Sequence, residues 1–217
     1  TFSSVHCISY NYGQQHSVEL ELAKAITTKW NVQHTIVDIS FLNTIVDSAL
    51  TVSANGTDVN QAHPRIKHLP ASYVPNRNAV FLTLAHSLAQ KIGAQYLVTG
   101  VCGSDLQGYP DTRSTFISSL AHTLSVGSWG EDYATVLEYH DQVIEIVTPL
   151  MYLNKAETFM LSDKLGVQDT IIADTNTCYR GEATQHDFGR GCNNCPACQA
   201  RREGYEKYLE LKASKQQ

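Results

Sequence analysis

Four of the six cysteines of this chain fall between Cys178 and Cys198, at the spacing of a metal site. Thirteen residues separate Cys178 from Cys192, and Cys192, Cys195 and Cys198 follow in two consecutive C-x-x-C steps. Gly189, Gly191, Asn193, Asn194 and Pro196 are interleaved as loop formers. Two such steps turn three thiolates toward one point, and the long loop can return Cys178 as the fourth ligand. Thiolate sulfur is a soft donor that zinc takes tetrahedrally, so four of them fill the coordination sphere and leave no position for a reactive water. The expected ion is a structural Zn2+ held by Cys178, Cys192, Cys195 and Cys198. A pair of disulfides is the alternative, and nothing favours it: no apolar h-region is visible and the chain is too large to need staples.

The rest of the chain has to position that site. With 217 residues, 42% of them hydrophobic, it can bury one sizeable core with a small appendage. The formal net charge is −5 and no run of Lys or Arg exceeds the pair Arg201 and Arg202, so the electrostatic footprint of a nucleic-acid binder is missing. A small molecule is the expected partner. No eighteen-residue apolar stretch occurs, which argues against a membrane span, and thiols kept for metal point to the cytoplasm.

Along the chain, apolar periodicity alternates between strand and helix. Val5 to Tyr10 reads as a strand, and Val18, Leu22, Ala25, Ile26 and Trp30 recur at helical spacing. Thr35 to Ile39 suits a buried strand and Leu42 to Leu50 a helix. From Thr51 to Asn76 the periodicity stops, and a loop this long is usually functional or disordered. Asn78 is a good N-cap for a helix carrying Val80, Phe81, Leu84, Ala85, Leu88 and Ile92, with Gly93 as its stop. Tyr96 to Thr99 is then a strand that runs into the polar loop Gly100 to Asp111, at the strand end where open α/β sheets place their ligands. A helix with Phe116, Ile117, Leu120 and Leu124 follows, then a loop or insertion from Gly127 to Asp141, then a strand from Val143 to Val147. Asn154, with Glu157 three residues on, caps a helix ending at Gly166, and Pro196 opens a last helix to about Lys212. The fold class is α/β, a mostly parallel sheet with helices on both faces.

The cysteine segment reads Thr-Cys-Tyr-Arg-Gly, then Gly-Arg-Gly-Cys-Asn-Asn-Cys-Pro-Ala-Cys-Gln-Ala-Arg. Four further stretches precede it in order. These are Val5-His6-Cys7 leading to Tyr12-Gly13-Gln14-Gln15-His16; Val74-Pro75-Asn76-Arg77-Asn78; Gly100-Val101-Cys102 with Asp105 and Gly108 to Arg113; and Thr148-Pro149-Leu150 with Lys155-Ala156-Glu157. Together they resemble the 7-cyano-7-deazaguanine synthases over essentially the whole chain. The resemblance implies an adenine nucleotide alpha hydrolase-like α/β domain at residues 1–170 and a zinc-binding segment at 171–217. It also implies a cytoplasmic, homodimeric ATP-dependent ligase of the ATP-pyrophosphatase superfamily. Its substrates would be 7-carboxy-7-deazaguanine, ammonia and ATP with Mg2+, and its product a nitrile precursor of queuosine-type bases.

Within that resemblance, Asp105 and Asp111 are expected to accept N–H donors from a guanine-like edge while Tyr109 borders the ring. Capping by Asp111 and a solvated turn at Asp105 are equal alternatives. Arg77 and Arg113 are fork donors for carboxylate or phosphate, or members of ordinary ion pairs. Lys155 can neutralise phosphate charge, whereas Glu157 is explained at least as well as a capping residue only. His16 reads as a surface turn histidine, and Cys7 and Cys102 as buried inert thiols. The family pattern is broken at Asn11, Gln15, Asn76 and Gly103, where aspartate, arginine, glycine and glutamate are expected. The Ser-Gly-Gly-x-Asp-Ser phosphate loop that should precede Val5 is not in this sequence. About 20 to 30 further residues are therefore expected ahead of Thr1, with an interrupted sheet beside Val5 to Tyr10. An inactive homologue that binds a deazapurine or nucleotide without turnover is the alternative reading. A thiolase would need a free reactive cysteine, and an RNA-binding zinc ribbon a basic surface.

Overall fold

The structure, a computed structural model, describes residues 2–14, 17–51, 58–103, 108–135 and 142–215. Two compact units divide the chain, one made of Thr1–Val74 with Asn154–Gln217 and the other of Pro75–Leu153. Among the described residues no helix is long and apolar enough to cross a membrane.

In the first unit, strand β1 (His6–Asn11) pairs in parallel with β2 (Gln33–Asp38), and helix α1 (Val18–Lys29) connects them. Glu19 and Glu21 in the first turn of α1 and Lys29 in its last complement the helix dipole. The His34 ring ties all three elements together, with Nε2 2.9 Å from Ser9 Oγ and Nδ1 3.2 Å from Thr27 Oγ1. The periodic reading of α1 is right for Val18, Leu22 and Ile26 but not for Ala25, which is exposed, or Trp30, which is 50% exposed, whereas Thr27 is buried. Thr27 takes that face because its hydroxyl bonds back to the Ala23 carbonyl as well as reaching His34.

The helix expected at Leu42 to Leu50 does not form. A short 3₁₀ turn, Ser40–Thr44, stands there, and the β-branched run Thr44-Ile45-Val46 discourages further helix. Backbone bonds tie the segments 48–51 and 58–73 that come after it, Ala49 N to Ala71 O at 2.8 Å, His63 N to Leu69 O at 2.7 Å and Ala71 N to Gln61 O at 2.8 Å. Their apolar residues Ala49, Leu50, Val59 and Ala71 pack with Cys178, Cys195 and Cys198 in one cluster. Residues 52–57 lie outside the described ones.

The second unit contains α2 (Arg77–Ile92), β3 (Tyr96–Val98), a 3₁₀ turn (Pro110–Thr112), α3 (Ser114–Trp129) and β4 (Glu145–Val147). β3 and β4 are parallel, from Tyr96 opposite Glu145 to Val98 opposite Val147. Helix α2 starts one residue before the expected cap. Its N-cap is Asn76, at φ 54°, a left-handed conformation that asparagine and glycine tolerate, which explains asparagine where glycine is expected. Its buried face is Leu82, Ala85, His86 and Ala89, rotated from the expected stripe so that Ile92 is 44% exposed. Helix α3 continues through Gly127 to Trp129, beyond the expected loop boundary, and residues 136–141 are outside the described ones.

Back in the first unit come α4 (Lys155–Lys164), α5 (Gln168–Asp174), a small antiparallel hairpin of β5 (Gln185–His186) and β6 (Gly189–Arg190), and α6 (Pro196–Ser214). The capping box on α4 is complete: Asn154 Oδ1 accepts from Glu157 N at 3.0 Å and Glu157 Oε2 accepts from Asn154 N at 2.8 Å. Among the described residues the strands pair two by two, β1 with β2 and β3 with β4 in parallel and β5 with β6 antiparallel.

Candidate metal centre and ligand-facing residues

Helix α6 begins inside the cysteine motif, with Cys195 as its N-cap and Pro196 as its first residue, a position where the missing proline N–H costs nothing. Cys198 therefore points from the first turn toward the loop that carries Cys192, where Asn193 turns the chain at φ 55°. Cys178 enters from the other side, its N–H donating to Asn176 Oδ1 at 2.7 Å while Asn176 Nδ2 donates to Glu182 O at 2.8 Å. The four Sγ atoms lie within 4.8 Å of one another, and Cys192 and Cys198 are 4.0 Å apart. Bonds of about 2.3 Å to one tetrahedral zinc would set its sulfurs about 3.8 Å apart, so a small contraction of this arrangement holds a metal ion, and zinc is compatible with it.

Backbone amides are aimed at the sulfurs, as thiolates require. Arg180 N is 3.4 Å from Cys178 Sγ, and Asn194 N and Cys195 N are 3.4 Å and 3.2 Å from Cys192 Sγ. Burial works to raise the Cys192 thiol, and the two amides together with hydrogen bonds from the Cys178 and Cys195 thiols outweigh it to bring the pKa below the ordinary value. Burial pushes Cys195 and Cys198 up, so a cation has to supply what holds them ionised. Gly191 leaves no room for a side chain, because a Cβ there would overlap Cys198 Sγ and stand 3.4 Å from Cys178 Cβ.

Arg201 is a structural residue of this centre that the sequence reading did not single out. It is 6% exposed and donates from Nε to Phe188 O at 2.8 Å and from Nη2 to Ile171 O at 2.6 Å and Thr175 Oγ1 at 3.0 Å, joining α5 and the hairpin to α6. Burial draws its pKa down, and the neighbouring Cys198 opposes this. The signal was in the sequence: Cys198, Arg201, Gly204 and Tyr208 follow at helical steps of three and four and make the buried face of α6.

The residues expected to meet substrate are placed as follows. Asp111 is 5% exposed and its Oδ2 accepts from Asn78 N at 3.0 Å, while Asn78 Nδ2 donates to the Asp111 carbonyl at 3.2 Å. The carboxylate of a residue 33 positions away thus does the capping that Asn78 was expected to do. Tyr109 is half-buried, and its carbonyl receives Thr112 Oγ1 at 2.7 Å. Arg113 is exposed and is the N-cap of α3. Arg77 is the first residue of α2, its guanidinium carbon 5.8 Å from the centre of the Phe81 ring. Arg77, Tyr109, Asp111 and Arg113 all belong to the second unit, and the Asn78–Asp111 bonds bring the starts of α2 and of the 3₁₀ turn together. Lys155 is the first residue of α4 in the first unit. Asp105 and His16 lie outside the described residues.

The profile of the family described as "Queuosine biosynthesis protein QueC" matches residues 1–209. A 7-cyano-7-deazaguanine synthase of Helicobacter pylori (strain HPAG1) is 44% identical over 208 residues, covering 95% of this chain and 86% of that protein. Proteins of the same name from Staphylococcus epidermidis and Wolinella succinogenes are 42% and 39% identical, covering 97% and 95% of this chain and 85% and 84% of those proteins. Similarity of that extent takes in the cysteine motif and the starts of α2, α3 and α4 alike, and the chain belongs to the QueC family of queuosine biosynthesis proteins.

Proposed function

We propose that this protein is an ATP-dependent carbon–nitrogen ligase that converts 7-carboxy-7-deazaguanine and ammonia into 7-cyano-7-deazaguanine. The observation that carries the reading is the similarity, along 95% of the chain, to a synthase of that product. A carboxylate is a poor electrophile, so its oxygen first attacks the α-phosphate of ATP, forming an acyl adenylate and releasing pyrophosphate. Ammonia adds to the acyl carbon and AMP leaves, giving the amide and a proton. The amide oxygen attacks a second ATP, again releasing pyrophosphate, and loss of AMP and a proton from the imidate adenylate leaves the nitrile. Mg2+ on the phosphates would neutralise developing charge.

In this reading Arg77 and Lys155, each at the first residue of a helix, meet phosphate charge, and Arg113 at the start of α3 meets an anionic group. Asp111 keeps Oδ2 on Asn78 and offers Oδ1, which has no hydrogen bond among the described residues, to an N–H of the base. Asp105 supplies the second carboxylate and Tyr109 borders the ring. The tetracysteine centre holds one structural Zn2+ and takes no part in the chemistry. The enzyme acts in the cytoplasm on small molecules, as a homodimer, and the net charge of −5 disfavours a nucleic-acid partner.

The test is a turnover assay of the full-length protein with the carboxylate, ammonia, ATP and Mg2+. Two AMP and two pyrophosphate are expected for each nitrile formed. Binding of the carboxylate without release of AMP would establish the inactive homologue instead. Asp105→Ala and Asp111→Ala should each weaken binding of the carboxylate in calorimetry, and unchanged affinity in both would remove the base-recognition assignment.

A further inference from the structure

Helices α4 and α6 form a ladder. Phe159 packs on Tyr205 with ring centres 5.2 Å apart and on Tyr208 at 6.1 Å, and Asp163 accepts from Tyr208 Oη at 3.0 Å and Lys212 Nζ at 2.8 Å. Positions 155, 159 and 163 of α4 thus face 204, 208 and 212 of α6, in steps of four on both helices. The first rung is different in kind. At Gly204 the two helices meet without an intervening side chain: a Cβ there would overlap Lys155 Cβ and stand 3.1 Å from its carbonyl carbon and 3.3 Å from its Cα.

Glycine is among the residues least suited to a helix interior, and Gly204 is ninth of nineteen residues in α6. Close approach to Lys155 supplies the reason. Two of the three atoms it would meet are backbone, in the first turn of a helix whose cap is fixed by the Asn154–Glu157 box, so no flexible side chain can yield. The lower rungs hold the other end of α4. A side chain at 204 would therefore wedge the N-terminal end of α4 away from α6, moving Lys155 while Asp163 stays in place.

We propose that Gly204 is a positioning residue for Lys155: by lacking a side chain it lets α6, the helix that starts in the cysteine centre, set where that lysine stands. The inference rests on the assignment of Lys155 to phosphate charge made above.

The experiment compares the full-length wild type with Gly204→Ala, Lys155→Ala and the double variant. Each is measured for metal content, melting temperature, kcat, and KM for ATP and for the deazaguanine carboxylate. Gly204→Ala should keep its metal and lose about ten- to a hundredfold in kcat/KM for ATP, the scale of a misplaced group, with KM for the carboxylate unchanged. Adding Gly204→Ala to Lys155→Ala should cost nothing further, because residues that act through one group are non-additive. Losses that multiply in the double variant would overturn the inference, as would a Gly204→Ala protein of wild-type activity beside an impaired Lys155→Ala. A Lys155→Ala protein of wild-type activity would instead remove the assignment of Lys155, and the inference with it. If Gly204→Ala does not fold, Tyr205→Leu loosens the neighbouring rung at Phe159, one turn along α4 from Lys155, and its coupling to Lys155→Ala is read in the same way.

Discussion

At position 191 a hydrogen atom is all that stands between the backbone and Cys198 Sγ. Gly191→Ala should push that sulfur out of the tetrahedron and cost about ten- to a hundredfold in zinc affinity, the scale on which supporting residues act, measured by chelator competition. About one zinc per chain is expected from the wild type, and metal analysis that finds none would end the assignment. The cysteines were legible in the sequence because ligand type and local spacing specify a metal site with little help from the rest of the fold. Asp111 was only half legible. Its residue type and its loop were plain, but its bond to Asn78 spans 33 positions, and a cap supplied from so far away leaves no local spacing to read.

The same bond matters at the scale of the element. Helix α2 begins at a left-handed Asn76 with no side-chain cap from its own neighbourhood, so the Asn78 amide in its first turn depends on Asp111. Asp111→Ala should lower stability by about 1 kcal/mol, the usual cost of a lost cap, in addition to any loss of substrate affinity. A denaturant titration separates the two effects. The joint of α1, β1 and β2 should be sensitive to acid. Burial, aided by nearby His6, lowers the pKa of His34 below its ordinary 6.5. The stability contributed by the neutral ring is therefore present above pH 6.5 and lost as the pH falls through the lowered folded value. His34→Gln should flatten the fall in melting temperature between about pH 7 and 5, the window in which histidine titrates. Long periodic helices were readable with small errors of phase. The seven-residue α5 was not, being too short to show a period, nor were the two-residue strands β5 and β6 and the segments 48–51 and 58–73, which owe their shape to bonds across a loop rather than to a repeating pattern.

At the scale of the molecule, the cysteine centre is part of a core that includes Ala49, Leu50, Val59 and Ala71. Removing the metal should therefore loosen more than the C-terminal segment. Hydrogen exchange after chelation should show protection lost in α6 and around residues 58–73 and retained in α2 and α3. Uniform loss along the chain would mean that the metal supports both units. The division into units also has a consequence in time. The unit Pro75–Leu153 is one uninterrupted stretch, so all of its contacts can form as soon as it has been synthesised. The other must bring residues before Val74 to partners after Asn154, and closing so long a loop delays those contacts until the intervening chain is in place. The insert is thus free to fold first, and the tetracysteine clasp, whose neighbours were made more than a hundred residues earlier, closes the structure last.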